Sequence, residues 1–383
     1  MFLPTAAGRR SQRLGAVILL ALGFGLVGCS SDDIAGTPPD NAPVAQADSP
    51  VVVVTTSVLC DLTKQIAEST VALTCLLDPG TDPHTYQVKP SDRQAIEQAD
   101  LILYDGYDSA PTLIGMVESS TTGAVRVAVY EAAVPTPLMG AAHDHDHGAE
   151  AAHDNEEDHA HDHGEAHDQG AEAAHDHGED HADHDDHDPS ATAEADLVPD
   201  PHIWHNATHN ATMAAVIAEN LAQVNPDQAD LYAENADRLA TQFTEIDGWI
   251  RTQVATVPPG QRQLVTTHDS FGYFADAYGF EVQGALSGLS TDERPTPGAL
   301  TALVDQVKSA QVPAIFAETT TNPQLIETVA KDAGVAVADQ PLFVEGPGGP
   351  GSKAETVQAM LVVNTCVVVE ALGGRCDRAS APL

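Results

Sequence analysis

The chain has 383 residues, enough for two ordinary domains, and 42% of them are hydrophobic against only 4% aromatic, so the core must be built from Ala, Val and Leu. A formal charge of -41, from 57 acidic and 16 basic residues, repels phosphate backbones and attracts cations, which argues against nucleic acid as a partner.

Arg9, Arg10 and Arg13 form a basic start, and Leu14 to Val27 is an apolar and small run too short to span a bilayer comfortably. Residues 1–28 therefore read as an export signal. The run ends Leu26-Val27-Gly28-Cys29, which resembles the bacterial lipobox, where the Cys is lipidated and becomes the new N-terminus. An ordinary signal peptide with an incidental Cys29 is the plainer alternative, and the apolar-small-Gly triplet before the Cys argues against it. Residues 29–49 are polar and rich in Pro and small residues, as a flexible tether is. The expected location is the outer face of the cell membrane, with the folded part held there by lipid.

Four cysteines remain in the mature body: Cys60, Cys75, Cys366 and Cys376. An even number in an exported chain favours disulfides, and four cysteines allow three connectivities that sequence alone does not separate. The local pairs Cys60–Cys75 and Cys366–Cys376 are preferred, because each would tie a helix to a nearby segment. A thiolate metal site lacks the Cys-x-x-Cys spacing it would need.

Val51–Val54 is a β-branched run that suits a buried parallel strand. A helix is predicted around Cys60–Ser69, and further strands at Val71–Leu77, Leu101–Tyr104 and Val125–Val129. Residues 140–196 then change character. They hold thirteen of the eighteen histidines among Asp, Glu, Ala and Gly, with no Lys or Arg. HDHG recurs at 145, 161 and 175, and AEAAHD at 149 and 171. Such a tract cannot bury a core and is expected to be disordered without metal. Its histidines, His143, His145, His147, His153, His159, His161, His163, His167, His175, His177, His181, His184 and His187, are candidate auxiliary metal ligands.

Asn225-Pro226 is expected to open a long helix, with Asn as cap and Pro in the first turn. Tyr232, Leu239, Phe243, Ile246, Ile250, Val254 and Val257 mark one apolar face, and Pro258-Pro259-Gly260 stops it. About thirty residues would make a rod of roughly 45 Å. Strands at Gln263–Thr267, Ala314–Ala317 and Val335–Ala338 then alternate with helices at Thr296–Ala310, Asn322–Ala333 and Ala354–Leu372. The expected fold is α/β: a lobe over 50–224 carrying the His-rich insertion, a linking helix over 225–257, and a second lobe over 258–383. Both sheets would be mainly parallel, with the metal site in the cleft between lobes.

Outside the tract lie only His84, His202, His205, His209 and His268. His84 and His202 each end an Asp-Pro-His triplet, and His268 follows a strand in Thr266-Thr267-His268-Asp269-Ser270. Side chains at the C-terminal ends of strands point into the crevice where open α/β sheets bind ligands. The Pro stiffens the backbone, and the Asp could orient the imidazole from behind. One such His reads as an ordinary turn residue; three in matched contexts point to a shared metal.

Five segments, GTDPHTYQVKPSD (80–92), DPHIWHNATHNATMAAVIAENL (200–221), THDSFGYFADAYGF (267–280), AIFAETTTNPQLIETVAKDAGV (314–335) and PLFVEG (341–346), resemble, in order, the metal-specific solute-binding proteins of bacterial ABC importers. The likeness is to their zinc branch, bacterial solute-binding protein family 9, over about residues 50–375. It implies two α/β lobes around a rigid helix, no enzymatic activity, and a monomer that serves an ABC permease and its ATPase. It also implies metal ligands at His84, His202 and His268, with Glu345 where the family carries Asp. His at position 268, where the manganese branch commonly has Glu, points to zinc ahead of manganese. His205, where many relatives carry Leu, is expected to face solvent at a helix start, and His209 to lie on the surface. Glu318 is expected to be structural, paired with Arg294. Three imidazoles and a carboxylate suit zinc. A manganese-binding relative, an adhesin or passive metal buffer, and a zinc hydrolase are the alternatives. The last lacks His-Glu-x-x-His and Gly-x-Ser-x-Gly.

Overall fold

The structure, a computed structural model, describes residues 49–141, 197–292 and 295–383. Cys29, the export signal, nearly all of the tether and the thirteen tract histidines lie outside these residues, as does Arg294.

The first half alternates strand and helix: β1 (Val51–Val54), α1 (Ser57–Ala67), β2 (Ala72–Cys75), α2 (Pro90–Glu97), β3 (Leu101–Tyr104), α3 (Pro111–Glu118) and β4 (Val125–Ala128). The four strands pair in parallel in the order β2-β1-β3-β4, with Val52 opposite both Leu73 and Leu101. The valine run of β1 makes sense here. Val52 and Val54 enter the main core, while Val53 joins Ile96, Ile102, Met116 and Val117 on the opposite face. A strand covered on both faces has no polar side to display.

After α4 (Val129–Ala133) comes a short antiparallel pair, β5 (Met139–Ala141) and β6 (Leu197–Pro199), which the sequence pattern did not signal. It brackets the His-rich segment, placing Ala141 opposite Leu197. The ladder continues as the Asp200 N–H donates to the Leu138 carbonyl at 2.8 Å.

Helices α5 (Ala207–Val224) and α6 (Ala229–Val254) follow. The Asn206 side chain caps α5 by accepting from the Thr208 N–H. At 26 residues, α6 is about 39 Å long. It buries Tyr232, Leu239, Phe243, Ile246, Ile250 and Val254 in the main core. Asn225 does not cap it: a turn over Pro226–Gln228 comes first, and the Asn225 amide donates to the Thr70 carbonyl and the Tyr232 hydroxyl.

The second half repeats the first sheet's arrangement. Its elements are β7 (Gln263–His268), α7 (Gly272–Tyr278), β8 (Glu281–Ser287), α8 (Pro297–Ala310), β9 (Ala314–Ile315), α9 (Gln324–Ala333), β10 (Ala336–Val337) and α10 (Val357–Ala371). Two parallel pairs, β7–β8 and β9–β10, are joined where the Phe316 N–H donates to the Val265 carbonyl at 2.9 Å. The order β8-β7-β9-β10 thus mirrors β2-β1-β3-β4. Helix α10 is buried on nearly every side, and it packs on α6 and α1. Two disulfides brace the fold: Cys60–Cys75 ties α1 to β2, and Cys366–Cys376 ties α10 to the C-terminal tail.

Candidate metal centre

Four loops at the strand ends meet in the cleft. Both Asp-Pro-His triplets fold the same way, since Asp82 and Asp200 each accept from the backbone N–H of the histidine two residues on, at 3.0 and 2.9 Å. This local turn explains why Asp stands there: its short side chain closes on its own backbone. His268 is the last residue of β7. Glu345 follows Leu342, which bridges in parallel to Glu318 beyond β9.

These loops bring His84, His202, His268 and Glu345 together, all buried, with one ligating atom of each within 4.8 Å of all the others. The Nε2 of His202 lies 3.3 Å from that of His84 and 3.2 Å from that of His268. Glu345 Oε1 lies 3.2 Å from His268 Nε2 and 3.7 Å from His84 Nε2. A tetrahedral ion with ligands at about 2.1 Å has ligand–ligand edges of about 3.4 Å. The donor atoms therefore have the spacing that such an ion requires. Neither Glu345 oxygen makes a well-aligned hydrogen bond, although His268 Nε2 lies 3.2 Å from Oε1. A buried carboxylate held only by charge, facing three imidazole nitrogens, fits a cation.

The ligands are held from behind. Asp200 Oδ1 accepts from His202 Nδ1 at 2.8 Å, and Glu318 Oε2 accepts from His268 Nδ1 at 2.6 Å, which leaves each Nε2 turned to the common point. Asp82 departs from this pattern. Its second oxygen accepts from Thr291, across the cleft, and not from the imidazole. The role expected of Glu318 changes as well: it orients His268. An acid at a buried strand end in Phe316-Ala317-Glu318 was the signal available for this, since a buried carboxylate needs a partner.

His205 is not the solvent-facing residue expected from its place before α5. It is buried, stacked on Phe271 with ring centroids 4.4 Å apart, and outside the four-residue cluster. His209 is half-buried against Tyr273, and its Nδ1 lies 3.2 Å from the Ile203 carbonyl.

Electrostatics of the metal-free cleft follow from burial and crowding. Burial, aided by the charge on His268, pushes His202 well below its ordinary pKa and keeps it neutral. Burial works against charge on His268 too, but Glu318 and Glu345 outweigh it and carry its pKa well above the usual range. Burial would likewise raise Glu345, yet His84, His268 and His202 hold it down to about 2. Burial pushes Asp200 up to about 7.

The backbone of the Glu345 loop is pinned by residues of the first half. Trp204 Nε1 donates to the Val344 carbonyl at 2.8 Å, and the Ser57 hydroxyl donates to the Glu345 carbonyl at 3.2 Å. Gly346 adopts φ +133°, and a Cβ there would lie 2.2 Å from Ser57 Oγ, so this turn admits glycine alone. His84 borders a cavity of about 660 Å³ walled by Tyr107, Asp108, Val198 and Leu289, and Glu345 borders a smaller one of about 170 Å³.

The model of the family described as zinc-uptake complex component A, periplasmic, matches residues 52–371. The chain belongs to that family. It is a metal-binding, substrate-binding component of an ABC metal importer, not an enzyme. Among its relatives, the manganese-binding lipoprotein MntA of Halalkalibacterium halodurans is 27% identical over 356 residues, 93% of this chain and 97% of that protein. The zinc-binding protein TroA of Treponema pallidum is 26% identical over 334 residues, 86% and 91% of the two chains. A solved structure of the periplasmic zinc-binding protein TroA superimposes with a TM-score of 0.66 at 25% identity, covering 85% of this chain and 99% of that one. This family has the two-lobed α/β fold expected from the sequence.

Proposed function

We propose that the chain captures zinc outside the cytoplasmic membrane, on His84, His202, His268 and Glu345, and hands it to an ABC permease driven by its ATPase. The observation that carries the choice of zinc is the donor set: three imidazole nitrogens and one carboxylate at tetrahedral spacing. Such a set suits a borderline cation that accepts four ligands, whereas manganese is a harder ion that favours oxygen. Relatives are named for either metal, so the reading of zinc rests on the donor chemistry of this cleft.

The rest of the reading follows the sequence. Residues 1–28 direct export, and Cys29 carries the lipid that holds the monomer at the outer face of the membrane, on a tether reaching to residue 49. Lobes at 50–224 and 258–383 flank the linking segment 225–257, which contains α6. Among the described residues no helix is long and apolar enough to cross a membrane. The tract histidines gather metal for delivery to the cleft, a role that suits thirteen imidazoles among acids better than a plain acidic linker.

Competition titration of metal-free protein lacking residues 142–196 tests this. One zinc should bind tightly against a chelator of known affinity, and manganese far more weakly. Manganese binding as tight as zinc would overturn the choice of metal. Unchanged zinc affinity in His202→Ala would overturn the site itself.

A further inference from the structure

The loops that follow the two edge strands β2 and β8 meet at the cleft. Asp82 stands in the first of them. One of its carboxylate oxygens accepts from the His84 N–H at 3.0 Å, and the other accepts from the hydroxyl of Thr291, in the second loop, at 2.5 Å. Leu289 fixes that second loop just before Thr291. It is seated on Gly140 of β5 so closely that a Cβ there would lie 2.7 Å from its Cδ1. The Ser290 hydroxyl accepts from the Asp292 N–H at 3.2 Å and closes a local turn around Thr291.

The four ligands are not held alike. Asp200 accepts from both the backbone N–H and Nδ1 of His202, and Glu318 does the same for His268. Trp204 and Ser57 hold the backbone on either side of the Glu345 side chain. Among the described residues no carboxylate accepts from Nδ1 of His84, since Asp82 is engaged by the backbone and by Thr291. The His84 ring is therefore placed by its turn, and the turn is tied down through Asp82. Of the four ligands His84 alone borders the cavity of about 660 Å³, where the ring has room to swing off the ion.

We infer that Thr291 is a positioning residue for His84: its bond to Asp82 keeps the imidazole on the metal, and breaking it makes His84 the first ligand to let go. The inference rests on the metal-site reading above. Asp82 and Thr291 belong to opposite halves of the chain, 209 residues apart, so parting the halves here breaks the bond. Ligation by His84 is thereby coupled to closure of the cleft. A hydroxyl on a carboxylate makes a strong hydrogen bond, yet Thr291 is only half-buried, and water can take its place as the halves part. The sealed pair of Glu318 and His268 offers no such exchange.

The test is a double-mutant cycle on the full mature chain, loaded with less than one zinc per chain so that the tight site alone is occupied. Zinc release to excess chelator is followed by stopped flow, and affinity by competition titration. Thr291→Val, which keeps the shape and removes the hydroxyl, should release zinc about tenfold faster and bind it about tenfold more weakly, as expected for one hydrogen bond to a carboxylate. The melting temperature of the metal-free protein should stay that of wild type. Thr291→Ser should restore both rate and affinity. In a His84→Ala background, Thr291→Val should have almost no further effect on affinity, since there is no imidazole left to position. A wild-type release rate in Thr291→Val would overturn the proposal and leave the metal site standing. So would an undiminished loss of affinity in the His84→Ala background, or a loss that Ser does not repair. A His84→Ala protein that binds zinc as tightly as wild type would overturn both this proposal and the ligand assignment of His84.

Discussion

Glu318 grips His268 twice: one carboxylate oxygen accepts from the ring Nδ1 at 2.6 Å, and the other from the backbone N–H of the same residue at 2.9 Å. Both groups are fully buried, so the pair is rigid, and the imidazole can present only Nε2 to the cleft. Without metal, that nitrogen faces Glu345 and its imidazolium is stabilised by two carboxylates. A metal ion takes the place of the proton there, so metal binding releases it.

Removing this grip should therefore cost metal affinity although Glu318 does not face the ion. Glu318→Ala is expected to weaken zinc binding by about 10- to 100-fold. Glu318→Gln, which still accepts from Nδ1, should lose less. Chelator competition at neutral pH reads both variants, and an unchanged affinity in Glu318→Ala would remove the residue from the site's machinery.

The ligands themselves should not be equivalent. His84→Ala, His202→Ala or His268→Ala each forfeits a nitrogen donor from a closed cluster, and zinc binding should weaken severely. Glu345→Ala should lose less, because water can enter through the cavity beside it. Isothermal calorimetry on the four variants orders them. Because His268 without metal keeps its proton well above the ordinary imidazole range and the ion must displace that proton, zinc affinity in the wild type should weaken as pH falls, beginning above neutrality.

A stability effect unconnected with metal is expected at Asp105, which closes the loop after β3. Its carboxylate accepts from the Thr55 hydroxyl at 2.7 Å and from the Ala110 N–H at 2.8 Å. Complete burial nonetheless raises its pKa from 3.8 to about 6, with nearby Asp108 adding to the rise against those bonds. The fold thus favours the protonated form. The resulting stability is fully present below about pH 4 and is lost as pH climbs through about 6. The shift corresponds to roughly 3 kcal/mol. Asp105→Asn stays neutral throughout. Its melting temperature, measured against wild type on metal-free protein, should gain on wild type between pH 4 and pH 6.5. Parallel curves would show that Asp105 does not titrate in this range.

What could be read from the sequence was whatever depends on local pattern. The valine run of β1, the apolar face of α6 and the paired Asp-Pro-His triplets are short-range signals, and the strands, helix and turns lie where those signals stand. Contacts between distant segments were less legible. Asn225 has the look of a helix cap, but its amide is drawn to Thr70, 155 residues away. His205 looks solvent-facing from its neighbours, but it is buried with its ring stacked on Phe271, 66 residues further along the chain. Glu318 shows the same limit, since its partner His268 comes from a different strand. Register within β5–β6 is carried by three residues on each side of a long polar tract, too few to show a periodicity.

The β5–β6 pair also allows the His-rich tract to be removed cleanly. Ala141 and Leu197 stand opposite each other in β5–β6, so a short Gly-containing loop replacing residues 142–196 can join the two strands. The ladder runs on to Asp200, whose carboxylate holds His202. The shortened protein should therefore keep one tight zinc at the cleft while its total zinc stoichiometry falls. The tract's own sites should be weak and quickly exchanging, because ordering the backbone around each ion costs conformational entropy. Their contribution should shrink further as salt screens the local negative charge. Calorimetry on the full-length and shortened proteins at two salt concentrations separates the two classes of site. Growth under zinc chelation should suffer from the deletion only when zinc is scarce. Loss of the tight site on deletion, with the β5–β6 turn intact, would mean that tract histidines ligate the cleft metal directly, and the assignment of four cleft ligands would fall.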